Sequence, residues 1–367
     1  MNPVVVLWGG KKISGPELGL HYVNQIGSKA ANLYRLYRWG FPVPPGFATN
    51  RMLDDYSLHN YIANLRSYCA SKHLDSTLVA VRSSPCISMP GMLSTILNVE
   101  LLSMKVDSPV APLKSAMKKV FLSWVSAKAI AYRDALNIPH YPPKLGVIVQ
   151  IMVNPLEGGC SGVMFTHNPI SKTRRTMGEI LPNDFGEALV GGKVKAQKLR
   201  WLRKHHPTAY RKLLLFGTKL VKATGKPQDT EFVVTKEGQI FLVQTRDMKF
   251  STAQQIDSGK EGKGDMILKG SPGCQGLVEG TIVTTEMDIK VLPKPHILFR
   301  DMTTTDDFAL MNMADAFVTS LGGPTCHAAI VARAMNKPCV VGMQTILFSG
   351  TKVCVDGKAG IVYRRKG

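Results

Sequence analysis

The spacing of apolar positions changes several times along this chain, and each change predicts an element. After a short apolar strand and a turn, helical spacing runs over residues 28–39. Gly40 and the proline-rich turn Phe41-Pro-Val-Pro-Pro-Gly-Phe47 close that helix. The continuous run at residues 79–82 predicts a buried strand that leads into a loop rich in Ser, Pro and Gly. Val120, Trp124, Ile130 and Ala131 fall on roughly one side of a helix predicted over residues 115–136. Residues 146–153 and 161–165 read as strands, and residues 230–235 and 239–244 as a hairpin about Lys236-Glu237-Gly238. Residues 251–264 are polar, hold no packing pattern and read as a linker. Beyond them short strands alternate with turns at Gly276 and Gly280, and one helix of small residues follows His327. The pattern therefore predicts two units, residues 1–250 and 265–367, in a mixed fold of the α+β or α/β kind. No repeat at solenoid or propeller spacing is present.

Composition supports globular units: 44% of the 367 residues are hydrophobic and 20% charged. The longest apolar runs, such as residues 145–153, are far shorter than the ~20 residues that span a bilayer, and residues 4–8 are too short for a secretory signal. Seven cysteines without a CxxC pair argue against a disulfide framework and a zinc site. The expectation is a protein of the reducing cytoplasm with no membrane partner.

Charge changes the picture more. Lys plus Arg is 46 against 26 acids, a formal net charge of +20. The excess gathers in a basic insert at about residues 193–226, where Lys193, Lys195, Lys198, Arg200, Arg203, Lys204, Arg211, Lys212, Lys219, Lys222 and Lys226 meet no carboxylate. Such a segment reads either as a solvated helical face or as a site for a polyanionic partner, an acidic protein or a nucleic acid.

The clearest candidate chemistry is Leu321-Gly-Gly-Pro-Thr-Cys-His-Ala-Ala-Ile-Val-Ala-Arg333. His327 stands where a glycine-rich turn meets a helix. A phosphoryl group on its ring would meet free backbone N–H groups and the positive helix end. The residues alone equally allow a histidine that serves only as a polar helix end. The segment resembles the phosphohistidine motif of the phosphoenolpyruvate synthase and pyruvate phosphate dikinase family, with Thr325-Cys326-His327 in the synthase form. Residues 303–307, and the stretch from Ser271-Pro-Gly to Gly280, resemble further parts of the same domain.

The N-terminal half resembles the nucleotide-binding part of that family, which implies an ATP-grasp-like fold. Ile26-Gly-Ser-Lys-Ala-Ala-Asn-Leu33 with Gly40-Phe-Pro-Val-Pro-Pro-Gly-Phe47 is close to the family opening and makes Lys29 a phosphate contact. Val81-Arg-Ser-Ser84 makes Arg82 a second. Ser88-Met-Pro-Gly-Met92 resembles the dikinase form of the loop over the phosphates, so Ser88 and Gly91 join the ATP-binding candidates. Ala127-Lys-Ala-Ile-Ala-Tyr-Arg133 instead resembles the synthase form. Gly178-Glu179 resembles a Gly-Glu segment near the nucleotide and makes Glu179 an adenosine-side candidate. In Gly162-Val-Met-Phe-Thr-His-Asn-Pro169 a histidine, His167, replaces the usual arginine. Asp229-Thr-Glu-Phe232 and Leu242-Val-Gln-Thr-Arg246 complete the resemblance, with a hairpin one residue longer at its turn. It implies Asp229 at the ATP, Glu231 and Gln244 as Mg²⁺ ligands, and Arg246 beside the transferring group.

Members of that family end in a barrel that binds phosphoenolpyruvate and pyruvate, whereas this sequence stops at Lys366-Gly367. The expectation is an ATP-grasp-like ATP-binding domain, a linker and a small swivelling phosphohistidine domain. His327 would be autophosphorylated from ATP with Mg²⁺, Arg246 and Thr325 assisting, in a dikinase-type, AMP-forming reaction that serves an unidentified acceptor. The alternative is a partner-dependent subunit or relay whose basic surface binds an acidic protein or a nucleic acid.

Overall fold

In the strand at residues 145–151 every position is apolar or uncharged and every residue is buried, so it lies at the centre of its sheet. The computed structural model describes residues 5–8, 20–71, 78–87, 89, 91–101, 109–135, 137–141, 143–186, 196–248, 250 and 266–364. Ser88, residues 187–195, which include Lys193 and Lys195 of the basic stretch, and the linker at 251–264 lie outside the described residues.

The first sheet is built from β1 (Val5–Trp8), β2 (Gly46–Thr49), β3 (Leu78–Pro85), β4 (Thr95–Glu100) and β5 (Leu145–Ile151) in the order β1-β2-β5-β3-β4. Every pairing in it is antiparallel. The second holds β6 (Cys160–Phe165), β7 (Met177–Pro182), β8 (Gln197–Lys198), β9 (Gln228–Val234) and β10 (Ile240–Asp247) in the order β10-β9-β6-β7-β8, again antiparallel. The third contains β11 (Met266–Lys269), β12 (Ser271–Cys274), β13 (Leu277–Val283), β14 (His296–Arg300), β15 (Ala316–Thr319), β16 (Cys339–Val341), β17 (Lys352–Asp356) and β18 (Ile361–Arg364). Its order is β11-β18-β17-β13-β14-β15-β16-β12, and the run from β13 to β16 is parallel. The fold is mixed α/β.

The helix Leu20–Arg38 is broken at Gly27, whose φ of 78° and ψ of 165° are not helical, so the regular turns begin where the apolar spacing predicts. A Cβ at Gly27 would lie 1.6 Å from the Ser84 carbonyl oxygen. The glycine thus lets the helix start press onto β3, where the Ala30 amide donates to Ser84 Oγ (3.0 Å) and Ser28 Oγ donates to the Pro85 carbonyl (3.0 Å). That contact sets Lys29 beside the strand that carries Arg82.

The helix predicted over 115–136 is in fact two, Val110–Leu122 and Ala127–Ala135, separated by a 3₁₀ turn at Ser123–Val125. Ser126 is extended (ψ 149°). Ser123 Oγ donates to the Val120 carbonyl (2.6 Å) and accepts from the Ser94 amide (3.1 Å), while Trp124 Nε1 donates to the His140 carbonyl (3.0 Å). Side-chain bonds of this kind compete with the helix ladder, and apolar spacing does not register them. The loop expected after Arg82 is strand as far as Pro85. In the hairpin, the register shifts between Leu242 and Gln244, which leaves Val243 as the irregular residue.

The basic stretch is not a loose insert where it is described. The helix Pro207–Thr224 buries Ala209, Leu213, Gly217 and Leu220 in the core that also holds Met164, Phe232 and Leu242. Its cations face solvent.

Candidate functional site

Strand register builds the site. In the β9–β10 ladder Glu231 pairs with Gln244 and Asp229 with Arg246. Across β6, Glu231 stands opposite Val163, which stands opposite Glu179 on β7. Residues directly opposite project from the same face of a sheet. Glu179, Glu231 and Gln244 therefore share one row, with Asp229 and Arg246 in the next row of the same face. The other face carries Met164, Phe232 and Leu242 into the core.

Arg82 reaches this row from the first sheet. Its Nη2 donates to Glu231 Oε2 (3.1 Å) and Gln244 Oε1 (2.9 Å), and its Nη1 to the Val243 carbonyl (3.3 Å). The irregular step at Val243 is thus what offers Arg82 a backbone acceptor. Gln244 Nε2 donates to Glu231 Oε1 (3.1 Å). Arg246 bonds Asp229 Oδ2 through Nε (2.8 Å) and Nη2 (2.7 Å), and that carboxylate keeps its guanidinium firmly cationic. Lys29 completes the cluster. Its ammonium is pushed down to about 8, by burial first and then by the Arg82 and Arg246 charges, with Glu231 opposing. Three cations crowded at one place, one of them driven toward neutrality, form a site that a polyphosphate would relieve.

His327 opens the helix His327–Met335. Its Nδ1 is 3.0 Å from Thr303 Oγ1, and its Nε2 is buried with no hydrogen-bond partner among the described residues. Burial lowers the imidazole pKa, and the Asp307 carboxylate opposes the shift. The ring is neutral at neutral pH. With Nδ1 carrying its proton toward Thr303, the lone pair of Nε2 is free.

The two clusters meet. Thr325 Oγ1, two residues before His327, donates to Glu179 Oε2. Gln275 Nε2 donates to the Ile170 carbonyl. The Arg333 guanidinium lies 6.0 Å from the Phe165 ring centroid and donates to the Gly273 carbonyl (2.8 Å). The helix that bears His327 is therefore seated on the sheet face that bears Glu231, Gln244, Asp229 and Arg246.

Of the residues singled out in the sequence, Lys29, Arg82, Asp229, Glu231, Gln244 and Arg246 come together. Glu179 lies two strands away and is engaged by Thr325. Gly91 sits in a turn with φ 73° between β3 and β4. His167 Nδ1 is 3.1 Å from Thr166 Oγ1. Sequence reasoning gave no role to Thr303 or Arg333, although both lie within segments that carry the family resemblance. Thr303 is 24 residues from His327, and only β14 and the following turn bring it back.

Comparison with known proteins fits this arrangement. Residues 55–214 match the pyruvate phosphate dikinase AMP/ATP-binding domain, and residues 292–360 match the mobile domain of PEP-utilising enzymes. A nucleotide-binding domain followed by a mobile domain is the class of protein that these matches define. The chain belongs to the pyruvate phosphate dikinase and phosphoenolpyruvate synthase family. It is 32% identical over 337 residues to a probable phosphoenolpyruvate synthase of Archaeoglobus fulgidus, covering 78% of this chain and 43% of that protein. It is 24% identical over 518 residues to a pyruvate, phosphate dikinase of Rickettsia typhi, covering 99% of this chain and 58% of that one. The chain thus spans about half the length of these relatives. D-alanyl-alanine synthetase A of Vibrio cholerae, a solved structure, overlays with a TM-score of 0.34 at 14% identity, over 63% of this chain and 58% of that one. No helix among the described residues is long and apolar enough to cross a membrane.

Proposed function

We propose that this chain is an ATP-dependent phosphotransferase in which Nε2 of His327 takes a phosphoryl group from ATP bound at Lys29, Arg82 and Arg246, and passes it to an acceptor still to be identified. The observation that carries the reading is the seating of the His327 helix on the sheet face that presents Glu231, Gln244, Asp229 and Arg246. A phosphoryl donor held on that face would lie on the side from which the His327 loop and helix approach.

Catalysis of this kind is mainly positioning and charge stabilisation. Lys29 and Arg82 bind the polyphosphate, and Arg246, held by Asp229, faces the charge that grows on the transferring group. The Nε2 lone pair forms the N–P bond as the P–O bond to the nucleotide breaks, and the electron pair leaves on the nucleotide oxygen. In the dikinase form of the reaction Nε2 takes the β- and γ-phosphoryl groups together as AMP leaves, and the γ-phosphoryl then passes to phosphate or water, which leaves the β-phosphoryl on His327. Thr303 Oγ1 lies 3.0 Å from Nδ1, and with the ring proton on Nδ1 it is Nε2 that faces the donor.

The donors Glu231 and Gln244 fit Mg²⁺, a hard cation that takes few protein oxygens and shares its shell with phosphate and water. Among the described residues no group of three or more His, Cys, Asp or Glu side chains forms a richer cation site. When bound, Mg²⁺ would supply charge neutralisation between phosphates. Arg82 now satisfies both donors and would give up these bonds to the ion.

The test is incubation with Mg²⁺ and ATP labelled at the β position. Acid-labile, base-stable label on the native chain, absent in His327→Ala and accompanied by AMP, is the expected result. Unlabelled protein, or equal label in His327→Ala, overturns the reading. A second reading, in which the chain docks a polyanion, is favoured by one observation: Arg203, Lys204, Arg211 and Lys212 are all exposed on neighbouring helices without a carboxylate among them.

A further inference from the structure

We propose that Glu179 is the seat of the phosphohistidine loop: its carboxylate on β7 accepts from the Thr325 hydroxyl and packs against Gly323, and so fixes His327 over the β9–β10 cluster for transfer. The inference rests on the reading of His327 as phosphoryl acceptor. It goes beyond that reading by giving Glu179 a positioning role toward the mobile domain rather than toward the nucleotide.

Several observations carry it. Glu179 stands in the row that holds Glu231 and Gln244, two strands from Glu231. Strand spacing makes that a separation of roughly 9–10 Å. It therefore sits beside the phosphate-side cluster and on the same face. Both of its oxygens are covered by the mobile domain: Thr325 Oγ1 donates to Oε2, and a Cβ on Gly323 would come within 2.5 Å of Oε1. The second point explains why a glycine stands two residues before Thr325. Its lack of a side chain lets the loop close on the carboxylate.

Burial raises the pKa of Glu179, while the Thr325 hydrogen bonds and the Arg333 charge act against the rise. A carboxylate covered in this way is tolerated only with its partners in place. Thr325 and Arg333 supply that partnership where the loop is seated. Their contacts are also short in sequence from the reacting ring. Thr325 lies two residues before His327, and Arg333 lies on the same helix, against Phe165 on the strand between Glu179 and Glu231. Gln275, which donates to the Ile170 carbonyl, adds a contact at the edge of the same interface. Seat, loop and ring form one mechanical unit.

Two measurements test the seat. In the first, the double variant Glu179→Cys, Thr325→Cys is treated with diamide, a two-electron thiol oxidant that is reduced to its hydrazine as the disulfide forms. Peptide mapping by mass spectrometry then assigns the link. The expected result is an intramolecular 179–325 disulfide, absent when Thr325→Cys is paired instead with Thr218→Cys. No 179–325 link above that control overturns the proposal.

In the second, single-turnover labelling of His327 from saturating ATP is compared across variants. Glu179→Leu and Thr325→Val should each slow labelling about tenfold or more and leave the ATP Kd unchanged, and the pair together should be no slower than either alone. Glu179→Gln, which keeps an acceptor oxygen, should restore most of the rate. Wild-type labelling in Glu179→Leu, or a loss in ATP Kd rather than in rate, overturns the proposal. If the native chain takes no label, the phosphotransfer reading fails, while the cross-link still decides whether Glu179 seats the loop.

Discussion

At the scale of single residues, His327 shows what a sequence can and cannot carry. Its motif was legible, but its working state depends on Thr303 and Asp307, which the chain returns to it through β14 and the turn that follows. Burial, the larger influence, holds the imidazole below its ordinary 6.5. The neutral, nucleophilic form therefore persists from alkaline pH down through 6.5, and labelling should begin to fall only at lower pH, where the folded-state ring at last protonates. The same shift stabilises the fold above pH 6.5, and that contribution is lost as pH falls through the lowered folded value. A pH–rate profile of single-turnover labelling checks the first statement, and a midpoint near 7 or higher would contradict it. Thr303→Val removes the partner of Nδ1 and lets either nitrogen hold the proton. We expect the labelling rate to drop by roughly tenfold, on the scale of one missing hydrogen bond to a reacting group, with ATP Kd unchanged.

Elements follow the same division between local pattern and distant contact. The helix after Gly27 and the strands β5 and β6 were readable because their own apolar residues set their period and burial. The helix predicted over 115–136 failed because its break is made by Ser123 and Trp124 bonding Val120, Ser94 and His140, contacts that no periodicity records. Register was equally hidden: Glu179 was readable as a Gly-Glu residue, but not as a strand residue in line with Glu231. Two glycines make the point measurable. Gly27 and Gly40 both have φ near +78°, yet a Cβ at Gly27 would meet Ser84 at 1.6 Å, while one at Gly40 meets nothing within 4 Å among the described residues. Gly40→Ala should cost about 1 kcal/mol, the strain of a left-handed residue. Gly27→Ala adds a backbone collision and should cost ~3 kcal/mol or more. Because Gly27 sets the approach of Lys29 to Arg82, it should also weaken ATP binding, which Gly40→Ala should leave alone. Urea denaturation of the two variants, with titration of nucleotide into each, decides this; equal costs would refute it.

Across the whole molecule, the charge of +20 was plain from composition, but its placement was not. The helix Pro207–Thr224 covers the face of the second sheet that buries Met164, Phe232 and Leu242. The His327 helix sits on the opposite face, toward Phe165 and Glu179. Arg203, Lys204, Arg211 and Lys212 are thus separated from the phosphotransfer cluster by the thickness of a sheet, and a polyanion held there would leave the ATP side open. Two properties should then separate on mutation. Replacing these four residues with Gln should reduce the salt dependence of binding to a fluorescein-labelled oligothymidylate, by about one unit of the log–log slope for each phosphate no longer neutralised. A control that replaces the exposed Lys118, Lys119, Lys128 and Lys144 removes the same charge from the molecule but not from this face. If binding follows net charge alone, the two variants weaken it equally, as expected of a diffuse field. If the face is the site, only the first variant changes the slope by more than about one unit. In the first variant labelling of His327 from ATP should proceed at the native rate, because those four cations lie across the second sheet from the face on which Arg82, Glu231 and Gln244 meet. Loss of labelling in the first variant would show that the two faces are coupled, and would contradict the separation that the sheet imposes.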